Sequence, residues 1–182
     1  MTVQRKCPPG LSTALVIALV TLVTIAGCSS ASSPSPESPD TQIPSDAFEA
    51  TVAYVHDGDT LYLDTGTTEL KVRLIGIDTP ELASQQRPDA EECYGVEARE
   101  LLRDFLPEGT EVLALEDREP EDRFGRSLLY VYLDDGTFVN LAMIELGAAE
   151  AIKVGLNDRY WPELRDAEVE ANAAGLGMWG SC

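Results

Sequence analysis

Asp57-Gly58-Asp59-Thr60 and Asp78-Thr79-Pro80-Glu81 are two short acidic blocks with Arg73 between them. Carboxylate and carbonyl oxygens are the donors that hard cations such as Ca²⁺ and Mg²⁺ take, whereas imidazole and thiolate suit softer metals. Arg73 adds a planar fork shaped for a phosphate. Further on, Asp122-Arg123-Phe124-Gly125-Arg126 brings guanidinium groups that could meet the same phosphate from another side. With Glu81 as a spare carboxylate, these residues are an inventory for cutting a phosphodiester. Taken singly, the first block also suits a polar turn and the second a strand terminator set by Pro80. His56 is the only histidine and no Cys-x-x-Cys pair exists, so zinc sites and histidine-dependent triads are poorly supported.

The elements that must hold these residues can be read from periodicity. Phe48 to His56 and Thr60 to Asp64 are β-branched and aromatic runs, and Asp64-Thr65-Gly66 supplies a hairpin turn. Leu70, Val72 and Leu74 alternate with Glu69, Lys71 and Arg73, so a strand there sets Arg73 on the face opposite the apolar side chains, free to line a cleft. Glu111 to Glu116 and Leu128 to Leu133 complete five strands. Ala98, Leu101, Leu102 and Phe105 follow helical spacing, and Pro107 and Gly109 close that helix. A second helix covers Val139 to Leu146. A third runs from Trp161 to Ala174, capped by Asn157 or Asp158 and stopped by Gly175. Short strands with helices late in the chain give an α+β class, a small five-stranded barrel carrying three helices.

The blocks occur in a distinctive order: Asp57 to Thr60, then Arg73-Leu74-Ile75-Gly76-Ile77-Asp78-Thr79-Pro80-Glu81, then Tyr94-Gly95 opening a helix, then Arg123-Phe124-Gly125-Arg126. From Phe48 to Trp179 the chain resembles the staphylococcal nuclease (thermonuclease-like) family, which implies an OB-fold barrel. The resemblance further implies a calcium-dependent nuclease that hydrolyses DNA and RNA and leaves 3′-phosphates, with a monomer expected. In that family's pattern Asp59, Asp78 and Thr79 are the calcium ligands, Thr79 through its backbone carbonyl. Glu81 activates or orients the attacking water, and Arg73 and Arg126 clamp the phosphate. Arg123 takes the place of a lysine that reaches a terminal phosphate. Lys153 and Gly155 stand where two tyrosines contact the nucleotide, and Gln85 to Glu91 replaces a lysine-rich loop with a largely acidic one. Tyr54, Tyr62 and Tyr94 read as core or barrel-wall aromatics rather than as stacking platforms, His56 as an exposed residue, and Trp161 and Trp179 as packing residues. A different class remains open, a non-catalytic oligonucleotide-binding or envelope module on the same barrel, since fold does not fix chemistry.

Arg5 and Lys6 precede an apolar run from Leu11 to Ala26, the pattern of a secretory signal over residues 1–27. Ile25-Ala26-Gly27-Cys28 resembles a bacterial lipobox, which places a lipid on Cys28 and the protein outside the cytoplasm, anchored to the cell membrane; an ordinary cleaved signal or an uncleaved anchor are the alternatives. Residues 28–45 are rich in Ser and Pro and read as a tether, leaving 46–182 as one domain. In an oxidising compartment Cys93 and Cys182 remain to pair, as in thermonuclease-like proteins that end in a similar Trp-x-x-Cys tail; two free thiols are the other possibility.

Charge runs against this reading. The chain carries 32 Asp and Glu against 13 Lys and Arg, a formal net charge of -19, the wrong sign for a nucleic-acid binder. A nuclease built this way must gather its cations on the substrate face, and Arg73, Arg87, Arg118, Arg123, Arg126 and Lys153 fall in the segments expected around the cleft.

Overall fold

β-Branched and aromatic residues crowd the first part of the domain, and there they make strands. The computed structural model describes residues 43–83 and 89–182. The leader, Cys28, the tether up to residue 42 and Arg87 lie outside the described residues. Strands β1 (Phe48–Val55), β2 (Thr60–Asp64) and β3 (Glu69–Leu74) form a meander. Two later strands, β5 (Glu111–Leu115) and β6 (Ser127–Tyr132), close it into a barrel of order β1-β2-β3-β6-β5, with β3 and β6 parallel and the other pairs antiparallel. Helices α1 (Gly95–Phe105), α2 (Val139–Glu145) and α3 (Trp161–Ala174) pack outside. The α+β, five-stranded OB-fold barrel with three helices expected from the sequence is the one observed. Two small additions were not foreseen: a ladder of β4 (Ile77–Asp78) with β7 (Glu150–Ala151), and a final turn, α4 (Met178–Ser181).

Alternation explains the core. Val52, Leu61, Leu63, Val72 and Leu74 turn inward and are at most 2% exposed, each contributing about 1.5–3 kcal/mol when fully buried. On α1 the 3.6-residue stripe buries Ala98 and Leu102 and half-buries Leu101 and Phe105. Asn140 on α2 is fully buried: its amide donates to Ile75 O at 2.9 Å and its oxygen accepts from Val131 N at 2.9 Å, tying helix to barrel. In the outer layer the expected cap of α3 is not made. Tyr160 is the N-cap residue and carries no side-chain cap, because Asn157 is used elsewhere. Its amide is buried and pairs with both backbone groups of Glu119, at 2.8 and 2.9 Å.

Cys93 and Cys182 form a disulfide with Cα atoms 6.0 Å apart and 89 residues of separation. It ties α4 to the residue that leads into α1. Replacing both cysteines by serine is expected to lower the unfolding free energy by about 2–4 kcal/mol through the larger freedom of the unfolded chain, measurable as a drop in urea midpoint with a rise in slope, because the unfolded chain without its cross-link exposes more surface.

Candidate active site

The turn between β1 and β2 is built around one carboxylate. Asp57 Oδ1 accepts from Asp59 N at 3.1 Å and Thr60 N at 2.7 Å, which folds Asp57-Gly58-Asp59-Thr60 back on itself. Thr79 packs directly on this turn: a Cβ on residue 58 would stand 2.7 Å from Thr79 Oγ1, so only glycine fits. Thr79 N and Oγ1 both donate to Asp59 Oδ2 at 3.2 Å, and Thr60 Oγ1 donates to Asp59 Oδ1 at 3.0 Å. Although 20 residues apart in sequence, Asp59 and Thr79 thus share one hydrogen-bonded unit.

Strand register brings Arg73 to it. Thr60 pairs with Arg73 across β2 and β3, so the guanidinium lies beside the turn, Nη1 at 2.8 Å from Asp59 Oδ2 and Nη2 at 2.6 Å from Asp78 Oδ1. Nη1 also donates to Leu74 O at 3.3 Å. Here the structure corrects the picture of a freely projecting arginine. Arg73 does stand opposite the core face, but that side is covered by the Asp57–Thr60 turn and by Asp78-Thr79, and only 7% of the residue is exposed. Burial pushes the Asp59 carboxyl up to about 6, although Arg73 pulls it the other way. Neighbouring Asp57 adds to the rise.

Glu81 is held through its backbone. Glu92 N donates to Glu81 O at 2.8 Å, and the Glu92 carboxylate accepts from Glu81 N at 3.0 Å. The start of α1 presses on the same segment: a Cβ on residue 95 would stand 2.7 Å from Glu81 O, so the helix must begin with Gly95. Entry into it requires a φ of 74° at Tyr94, the one left-handed non-glycine among the described residues. Tyr94-Gly95 is therefore a seat for Glu81 as well as a helix start.

Arg126 is positioned by Asp122. Its Nε donates to Asp122 Oδ2 at 2.7 Å, while Asp122 Oδ1 accepts from Phe124 N at 2.8 Å and Arg126 N at 3.0 Å. Burial pushes the Asp122 carboxyl up, but these bonds outweigh it and hold it below the ordinary value of 3.8. The terminal nitrogens of Arg126 have no hydrogen-bond partner among the described residues.

Two depressions meet at these arginines. One, of about 560 Å³, is lined by Asp59, Asp78, Glu81, Arg73 and Arg126, with Tyr54, His56, Lys71 and Arg99 along one side. The other, of about 630 Å³, is lined by Arg123, Phe124, Lys153 and again Arg73 and Arg126. The residues singled out from the sequence are thus brought together. Arg118 is not among them; it pairs with Asp158 at 3.1 Å. Lys71, Arg99 and Asp122 went unrecognised, the first two because only the barrel register and the α1 packing carry them to the cleft. Among the described residues, six of the chain's 13 Lys and Arg line these depressions, but only seven of its 32 Asp and Glu. A separate groove of about 470 Å³, edged by Glu49, Asp64, Glu111 and Asp134, has no Lys or Arg in its lining and would repel an anion.

Among the described residues no three His, Cys, Asp or Glu side chains gather closely enough to hold a metal ion by themselves. Asp59, Asp78 and Thr79 nonetheless offer only oxygen, and calcium fills such incomplete sets with backbone carbonyls and water. The buried Asp59 carboxylate, raised by desolvation despite its arginine, fits an added cation.

The model for staphylococcal nuclease homologues matches residues 71–181, a span holding Arg73, Asp78, Glu81 and Arg126. A thermonuclease of Staphylococcus intermedius is 37% identical over 129 residues, which cover 70% of this chain and 74% of that one. A thermonuclease of Staphylococcus hyicus is 32% identical over 140 residues, covering 75% and 80%. Endonuclease YhcR of Bacillus subtilis (strain 168) is 29% identical over 140 residues, 72% of this chain and 11% of that protein.

The bonds around Asp122 make a direct stability prediction. Asp122→Ala removes the acceptor of two backbone N–H groups and of the Arg126 Nε, and since water can reach these donors the cost is about 0.5–1.5 kcal/mol. Because the folded carboxyl titrates below its ordinary value, this contribution is complete above about pH 4 and is lost on further acidification. The difference in denaturant midpoint between wild type and variant should therefore be full at pH 7 and shrink below pH 4.

Proposed function

The chain belongs to the staphylococcal nuclease family, and we propose that it hydrolyses phosphodiester bonds of DNA and RNA in a calcium-dependent reaction that leaves 3′-phosphate ends. The observation that carries this is the meeting of the two depressions at Arg73 and Arg126, with Glu81 on one side and Arg123 and Lys153 on the other. A phosphate seated there touches two guanidinium groups and faces a carboxylate, with room for chain on both sides. Its relatives named thermonuclease and endonuclease support the same reading.

In this scheme Glu81 takes a proton from the water that attacks phosphorus in line. The P–O5′ bond breaks, and the departing 5′-oxygen takes up a proton from solvent. Arg126 offers its terminal nitrogens to the equatorial oxygens, where charge grows; a guanidinium so placed contributes about 10³–10⁵-fold in analogous phosphoryl transfers. Arg73 offers the remainder of its fork while bracing Asp59 and Asp78. Those two carboxylates and the Thr79 carbonyl would hold the calcium ion, which when bound polarises a phosphoryl oxygen and orients water. Arg123 and Lys153 bind the flanking phosphate. Where the tyrosine pair of the family pattern is missing, Lys153 instead lies 5.3 Å from the Trp161 ring.

Glu81→Gln keeps shape and removes the base, so kcat on DNA should fall by about 10²–10⁴-fold with oligonucleotide affinity and melting temperature unchanged. Chelating calcium should stop the wild type altogether. Undiminished cleavage by the variant would remove Glu81 from the reaction, and oligonucleotide binding without cleavage in any cation would make the barrel a binding module.

The leader and Cys28 lie outside the described residues, and we propose on their sequence that the domain is lipid-anchored outside the cytoplasm. Stable anchoring takes more than one acyl chain, and the Ser/Pro tether offers no basic cluster to help. Cys28→Ser should move the protein from the membrane fraction to the soluble one; retention would make the leader itself the anchor.

A further inference from the structure

Tyr54 breaks the inward alternation of its own strand. Ala50 and Val52 are buried, and a regular strand would turn Tyr54 inward after them. Instead the β1–β2 register slips between Val52, opposite Leu63, and Tyr54, opposite Tyr62. This bulge returns Val55 to the core and rotates Tyr54 outward, where it is 41% exposed. Bulges beside functional sites commonly re-aim a side chain in this way.

The residue so re-aimed joins a row. Tyr54 is opposite Tyr62, and Tyr62 is opposite Lys71, across three adjacent strands. Thr60 and Arg73 lie two residues further along on the same face, about 7 Å away at strand spacing. The rings of Tyr54 and Tyr62 have centroids 6.2 Å apart, and Lys71 Nζ stands 5.9 Å from the Tyr62 ring. Lys71 has no carboxylate partner among the described residues, where seven of the ten Lys and Arg have one. Tyr54 and Lys71 line the depression that holds Glu81, and neither lines the one that holds Arg123 and Lys153.

Resting on the nuclease reading above, we propose that the Tyr54–Tyr62–Lys71 row is a subsite for an unpaired nucleotide next to the scissile phosphate, on the side away from Arg123 and Lys153. The exposed Tyr54 ring, with Arg103 Cζ 5.9 Å from its centroid and Tyr62 packed beside it, takes the base, and Lys71 takes the neighbouring phosphate, the combination by which single strands are held without sequence preference. A base inside a duplex shows no free face to these rings, so the occupant is a single-stranded segment.

The test uses the mature domain bearing Glu81→Gln, calcium, and a short single-stranded oligonucleotide carrying the fluorescent base 2-aminopurine. Binding should quench the probe, and adding Tyr54→Ala with Tyr62→Ala should weaken affinity on the order of 10–100-fold. Tyr54→Phe should retain affinity, and Lys71→Ala should reduce the salt slope by about 0.7. In the otherwise wild-type chain, Tyr54→Ala should raise KM for single-stranded DNA while moving kcat less than about two-fold. Equal probe affinity with and without both tyrosines, at matched melting temperatures, overturns the subsite whether or not the wild type cleaves. If the double variant melts early, an unchanged salt slope in Lys71→Ala overturns it equally. Absence of cleavage by the wild type defeats the nuclease reading alone, because the quenching titration does not depend on turnover.

Discussion

One buried guanidinium holds the cleft together. Arg73 bridges Asp59 and Asp78 from the barrel wall, and those carboxylates belong to two separate turns that are otherwise joined by the Thr79 hydrogen bonds to Asp59. Asp59 would otherwise be a buried charge facing another acid, Asp57, with only neutral donors around it. Breaking such a pair by removing one partner costs about 3–5 kcal/mol, far more than an exposed ion pair contributes. The constraint is also chemical. An incoming phosphate competes with resident carboxylates for the fork, so Arg73 can turn toward substrate only as far as Asp59 and Asp78 find positive charge elsewhere.

Close backbone approach supports this charge network. Gly58 lets Thr79 reach the turn, and Gly95 lets α1 lean on the carbonyl of Glu81. At both places a methyl group would push a site residue out of register. The barrel supplies rigidity, and the glycines let polar segments lie flush against it. Asp122 does by hydrogen bonding what these glycines do by absence of bulk: it shapes a loop and aims one arginine with the same carboxylate.

Local signals made much of this legible. Period-two runs placed the five strands to within a residue or so, and the apolar stripe of α1 lies where its spacing put it. The acidic blocks and arginines converge because they sit at strand ends and turns, positions that sequence marks with Gly, Pro and Asp. What escaped was set by tertiary structure. The burial of Arg73 depends on two turns folding over it. Asn157 looked like a helix cap, but a backbone from a distant loop claims its amide. Tyr54 read as a core or barrel-wall aromatic from its residue type, and no residue type announces the bulge that turns it outward. Lys71 and Arg99 became cleft residues only once register and helix packing were known.

The uneven distribution of charge shapes the traffic of any polyanion at this surface. Among the described residues the two depressions hold six cations and seven acids, close to balance, while the rest of a chain of net charge -19 is strongly acidic. At physiological salt the exterior field dies away within about 8 Å, so an approaching strand feels repulsion until it enters the cleft, and capture is slow compared with that of a basic protein. A fragment leaving the cleft meets the same field in reverse. Beyond the cleft the acidic surface speeds its escape, so slow arrival is coupled to rapid clearance.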